Sequence, residues 1–256
     1  MRIDAGSIAV PAGTSSITMS RISGGNGTAS IKSIELVSAA PWAGFQQRVA
    51  EFKLASSATR DQFSKSGLGL MFQYGPWSHP STGANPDIET HTNAFDVNAF
   101  ADLVQSTGAG HDIWSVSWWT YQMQAPISSV DAVVGNGART ATRDLIGALA
   151  DAFHARGIMF MLDYHVGQDE HLGYNSTDFW QAQQWPSSFS STATGDRSTM
   201  FTNWQSIVSE IGNRYGSRLG GWFFDDGLIY YPANFEQLGA TARAGNPARL
   251  VSWNSW

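Results

Sequence analysis

Two adjacent carboxylates, Asp225 and Asp226, follow the apolar run Gly221-Trp222-Phe223-Phe224 and precede Gly227. A carboxylate at the end of a buried strand can serve as a nucleophile, a general base or, if kept protonated, a general acid. The same Asp-Asp-Gly can also simply turn the chain and cap the next helix. Other polar and aromatic residues gather after three earlier apolar runs. Gln73, Tyr74 and Trp77 close the first, Trp118, Trp119 and Tyr121 the second, and Tyr164, His165 and Glu170 the third. Flat rings can stack on the C–H faces of a sugar while amides, imidazoles and carboxylates bond its hydroxyls. Asp163, His165, Asp169, Glu170 and His171 include metal-ligand types, but their spacing fits no standard metal motif, so neither a metal nor another cofactor is expected. Gly-x-Ser-x-Gly is absent, which removes the nucleophile elbow of serine hydrolases.

Positioning these residues takes alternating strands and helices. Strands are expected at Leu68–Tyr74, Asp112–Trp119, Ile158–His165, Leu219–Asp225 and Arg249–Trp253. Helices are expected at Phe95–Thr107, Thr140–Arg156, Ser198–Tyr215 and Asn234–Ala244. Asp96 and Gly108 bracket the first of these helices; in the second, Leu145, Leu149 and Phe153 recur at helical spacing before Gly157. Such alternation argues for parallel βαβ units, with the chemistry at the C-terminal ends of the strands, where a (β/α)8 barrel carries its active site. A doubly wound sheet is the alternative. Its glycine-rich phosphate turn is replaced here by Gly75-Pro76-Trp77-Ser78. A closed barrel needs eight strands, and about five fit this 256-residue chain, so the expected fold is α/β, an incomplete (β/α)8 TIM-type barrel ending as a fragment.

Three domains follow. Residues 1–40 read as a short β segment, either resembling the end of a β-sandwich carbohydrate-binding module or a β-meander belonging to the barrel, residues 41–66 as a linker with a helix at Phe45–Phe63, and residues 67–256 as the partial barrel. Net charge is −6 and no basic run occurs, so nucleic acid is not an expected partner. No apolar run approaches a membrane span, and the first residues lack a signal-peptide core. Charged residues make up 14% of the chain against a usual value of about 25%; with 11 Trp, 14 Phe and 7 Tyr, the composition suits carbohydrate as well as core packing. A secreted or periplasmic location is expected, and the oligomeric state is not readable.

Four segments in order resemble the α-L-fucosidase family of glycoside hydrolases. They are Leu70-Met71-Phe72-Gln73-Tyr74-Gly75-Pro76-Trp77-Ser78, Phe95 through Ala109, Arg143 through Tyr164, and Gly221 through Gly227. The resemblance implies a retaining mechanism with Asp225 as nucleophile (Asp226 if the alignment is counted back from Gly227) and a second carboxyl as acid and base. It implies an oligosaccharide or glycan substrate contacted by Gln73, Tyr74, Trp77, Trp118, Trp119, Tyr121, Tyr164, His165 and Glu170. The family's histidines on the first two strands are replaced by Gln73, Trp118 and Trp119, which implies an altered sugar. A non-catalytic carbohydrate-binding protein or an inactive barrel fragment is the alternative reading.

Overall fold

Carboxylates at helix starts and glycines at helix ends punctuate the chain much where its hydrophobic periodicity changes. The computed structural model describes residues 38–74, 87–117, 122–165 apart from 136 and 138, 198–225 and 234–254. The chain divides into two compact units, Met1–Ala43 and Gly44–Trp256. Residues 1–37 of the expected N-terminal β segment lie outside the described residues, and Ala39 already opens a helix.

Five strands form one sheet: β1 (Gly69–Phe72), β2 (His111–Ser117), β3 (Met159–His165), β4 (Gly221–Asp225) and β5 (Leu250–Trp253). Each pairs in parallel with the next, in the order β1-β2-β3-β4-β5. A doubly wound sheet has a point where strand order reverses. None occurs among these strands, so the sheet is singly wound and compatible with part of a (β/α)8 barrel.

The described helices are α1 (Ala39–Ala55), α2 (Ser57–Lys65), α3 (Ile88–Ala94), α4 (Val97–Ser106), α5 (Ser128–Val134), α6 (Leu145–Ala155), α7 (Ser198–Tyr215) and α8 (Phe235–Ala242). The single helix expected at Phe45–Phe63 is thus two, because Ser56, with a ψ of 5°, leaves helical geometry between them. Asp96 caps α4 by accepting from the Ala99 N–H at 3.0 Å, and Asp144 caps α6 by accepting from the Gly147 N–H at 2.7 Å. Helix α6 therefore starts at Leu145 and not at Thr140. The preceding residues reach α3 instead: the Thr142 N–H donates to Glu89 at 2.8 Å, and the Arg143 guanidinium donates to the carbonyls of Thr92, Asn93 and Phe95. No described helix is long and apolar enough to cross a membrane.

Period-two alternation gives the sheet two unlike faces. Trp114, Val116, Phe160, Leu162, Tyr164, Trp222 and Phe224 lie on the helix side and are buried in the core. Trp222 stacks on Phe224 with ring centroids 5.3 Å apart, and Phe224 on Trp253 at 4.6 Å, with Trp204 of α7 packed on both Phe224 and Trp253. Such pairs each contribute about 0.5–1.5 kcal/mol beyond the burial of their area.

Arg249, immediately before β5, is fully buried. Its Nε donates to the Leu219 carbonyl at 3.0 Å, Nη1 to those of Ala242 and Ala244 at 3.0 and 2.6 Å, and Nη2 to those of Gly212 and Gly216 at 2.9 and 2.8 Å. All five guanidinium donors are thereby used on backbone carbonyls, four of them near the ends of α7 and α8, where the helix dipoles are negative. Gly212 is required beside it, since a Cβ there would lie 2.7 Å from Arg249 Nη1. Arg249→Lys supplies three donors for five carbonyls and should lower the unfolding free energy in urea by about 3 kcal/mol or more; a change below about 0.5 kcal/mol would show that the carbonyls find other partners.

Asp112 shares the helix-side face of β2, is fully buried, and its carboxyl oxygens have no hydrogen-bond partner among the described residues. Burial pushes its carboxyl up to about 7. With the folded value raised above that of the unfolded chain, the native state binds the extra proton, and this stabilisation is complete below the unfolded value near 4 and is lost as pH rises towards 7. Asp112→Asn should therefore melt higher than the wild type at pH 8, with the gap closing towards pH 4. A gap independent of pH would contradict this.

Candidate active site

The face of the sheet opposite the helices changes character from bottom to top. At the N-terminal end, Gly69, His111 and Met159 share a register row. The His111 ring lies over Gly69, where a Cβ would fall 1.8 Å from Nε2, and its Nδ1 lies 2.6 Å from Ser66 Oγ. Burial lowers the pKa of His111. This end is a packed floor. The next row is Met71, Ile113, Met161, Gly221 and Leu250. Gly221 makes room there for Met161, whose Cε would lie 2.6 Å from an added Cβ.

Above it the rows turn polar. Ser115, Asp163, Phe223 and Ser252 are in register. Ser115 Oγ accepts from the Tyr74 N–H at 2.7 Å and so fastens the end of β1 to β2. Asp163 is fully buried. One row higher, His165 is the register partner of Asp225. Asp225 is half-buried at the C-terminal end of β4, and Asn254 Nδ2 donates to its Oδ1 at 2.6 Å. The β2 register slips between Ser115 and Ser117.

Asp225 thus stands at the C-terminal end of β4, on the face of the sheet opposite the helices. Gln73 is exposed just past the end of β1. Trp77, Trp118, Trp119, Tyr121, Glu170 and Asp226 lie outside the described residues. Two of the three expected tyrosines, Tyr74 and Tyr164, face away from the site. Tyr164, expected to contact sugar, alternates onto the helix side and is 2% exposed, edge-on to Trp222 and Phe224. Burial pushes its phenol well above the usual value. Tyr74 is likewise buried, stacked on Trp114 with centroids 5.0 Å apart and edge-on to His91 and Phe95. Strand geometry puts the Asp163 and Asp225 backbones about 8 Å apart, but full burial keeps Asp163 from a leaving group in this conformation. No group of three or more His, Cys, Asp or Glu that could hold a metal occurs among the described residues. Asn254 was not singled out from the sequence: an asparagine after a strand reads as a turn residue, and its partner lies 29 positions earlier.

Solved structures share this fold. The unliganded α-L-fucosidase AlfC from Lactobacillus casei is similar with a TM-score of 0.53 and 17% identity, over 76% of this chain and 68% of that one. AlfC in complex with α-L-fucose product gives 0.52 and 18%, over 75% and 70%. The endo-fucoidan hydrolase MfFcnA9 from glycoside hydrolase family 107 gives 0.52 and 14%, over 77% of this chain and 40% of that one. At these identities the likeness is one of fold. No family model matches the chain, and no curated protein matches it.

The placement of Tyr164 is testable by carbohydrate binding. Tyr164→Phe should change the affinity for any sugar that the chain binds by less than about two-fold, since the buried ring packs on the helix side. A loss of about ten-fold, or 1.4 kcal/mol, would return the Tyr164 hydroxyl to the sugar.

Proposed function

We propose that this chain is a glycoside hydrolase of the retaining type, similar to α-L-fucosidases, with Asp225 as its nucleophile. The observation that carries the reading is the position of Asp225: the last residue of β4, half-buried, on the polar end of the face opposite the helices, with one oxygen fixed by Asn254. In a singly wound α/β sheet that end is where active sites lie. The structures sharing the fold are fucose-processing glycoside hydrolases, which supports a fucose-type sugar or a related glycan as substrate.

In this mechanism the Asp225 carboxylate attacks the anomeric carbon as the bond to the leaving oxygen breaks. A second carboxyl protonates that oxygen and later deprotonates the water that releases the sugar. Glu170 is a candidate the sequence offers for the second carboxyl, and Trp77, Trp118, Trp119, Tyr121 and His165 for sugar contact. Gln73 at the end of β1 can donate and accept hydrogen bonds to hydroxyls. Replacement of the family's histidines by Gln73, Trp118 and Trp119 alters the hydroxyl pattern the site would reward, so the preferred sugar would differ from plain α-L-fucose in substitution or linkage.

A panel of aryl glycosides that includes α-L-fucosides, assayed with wild type, Asp225→Asn and Asp226→Asn, tests the reading. Asp225→Asn should lose at least about a thousand-fold in kcat while still binding sugar. Wild-type turnover in that variant would place the nucleophile elsewhere. Sugar binding without turnover in the wild type would favour a carbohydrate-binding protein.

A further inference from the structure

The Asn254 side chain makes a contact that strand pairing does not require. Its backbone N–H donates to the Phe224 carbonyl at 2.8 Å, which extends the β4–β5 ladder one residue beyond β5. The side chain adds a second, at 2.6 Å from Nδ2 to Asp225 Oδ1. The amide must present its nitrogen, because a carboxylate only accepts and two facing oxygens would repel. A hydrogen bond to an ionised carboxylate is short and roughly twice as strong as one to a neutral acceptor.

We propose that Asn254 is a positioning residue for Asp225, and that its hydrogen bond chiefly accelerates the second half of the reaction. This rests on the reading of Asp225 as nucleophile. In the first half, Asp225 Oδ2 forms a bond to the anomeric carbon, and the electron pair of the broken glycosidic bond leaves with the aglycone oxygen, which takes a proton from the acid. Asp225 then carries an ester, and Oδ1 is its neutral carbonyl oxygen. In the second half, water attacks the anomeric carbon and gives its proton to the base, and the electron pair of the ester C–O bond returns to Asp225. The negative charge that reappears is shared with Oδ1, where Asn254 donates. The hydrogen bond is therefore weaker in the glycosyl-enzyme than in the free carboxylate. It holds back attack slightly and favours release. Removing it should leave the first half unchanged or faster and slow the second.

Stopped-flow kinetics with 2,4-dinitrophenyl α-L-fucoside separates the halves. The burst rate reports formation of the glycosyl-enzyme, and the steady-state kcat reports its breakdown. In Asn254→Ala the steady-state rate should fall about ten-fold or more while the burst rate stays level or rises. Asn254→Ser, which retains a shorter donor, should fall between. Unchanged thermal melting of both variants would show that the fold is intact. If burst and steady-state rates fall together, or neither falls, Asn254 does not act in this way, whereas Asp225→Asn would still be inactive. Wild-type turnover by Asp225→Asn, or no turnover by the wild-type protein of any glycoside in the aryl glycoside panel, overturns the nucleophile reading and this inference with it.

Discussion

Arg249 ties the lower end of the sheet together. With no carboxylate partner among the described residues, the guanidinium survives full burial because five backbone carbonyls surround it, two of them near the end of α7, two after or within the last turn of α8 and one entering β4. Burial still lowers its pKa to about 10, so it remains charged near neutral pH. The next residue, Leu250, begins β5 in register with Gly221. With that end pinned, the parallel ladder carries the register upward through Val251, Ser252 and Trp253, opposite Trp222, Phe223 and Phe224. The step after Trp253 delivers Asn254 to Asp225. A one-residue slip would turn Asn254 to the helix side and Trp253 to the polar face.

The same ladder explains the division of labour in the sheet. Apolar side chains on the helix side form a continuous aromatic layer, while the opposite face runs from His111 and methionines at the floor to Ser115, Asp163, Ser252 and Asp225 above. The packed core and the proposed chemistry therefore fall on opposite faces of the same strands. Trp222 donates its indole N–H to the Ala242 carbonyl at 3.0 Å and anchors α8, while its neighbours Phe223 and Asp225 face the other way. The strand that would carry the nucleophile is thus held by its alternate residues.

Much of this was legible in the sequence, for physical reasons. Ser198–Tyr215 reads as a helix because its apolar residues recur at helical spacing, and the structure places α7 over that span. The end of β4 at Asp225 follows from an apolar run meeting a carboxylate. Other features lay beyond local pattern. Helix α5 has no cap of its own; Glu210, on α7, accepts from the Ser128 and Ser129 N–H groups at 2.9 and 2.7 Å. Burial raises the pKa of Glu210, but those serine hydrogen bonds outweigh it and hold the carboxyl below its usual value. A cap supplied by a residue 82 positions away leaves no trace beside the helix it starts. Tyr74 and Tyr164 look like site residues because they stand at strand ends, yet parity turns both towards the helices. Asn254 shows the converse, a residue with no motif brought to the carboxylate by register.

The central claim, that the Asp225 carboxylate attacks sugar, is tested most directly by trapping the bond it would form. Incubation with 2-deoxy-2-fluoro-α-L-fucosyl fluoride slows both halves of a retaining reaction but leaves a good leaving group, so the covalent intermediate accumulates. Proteolysis and tandem mass spectrometry then locate it. One sugar per chain, attached to Asp225, is the expected result. A label on Asp226 or on any other residue, with Asp225 unmodified, would contradict it.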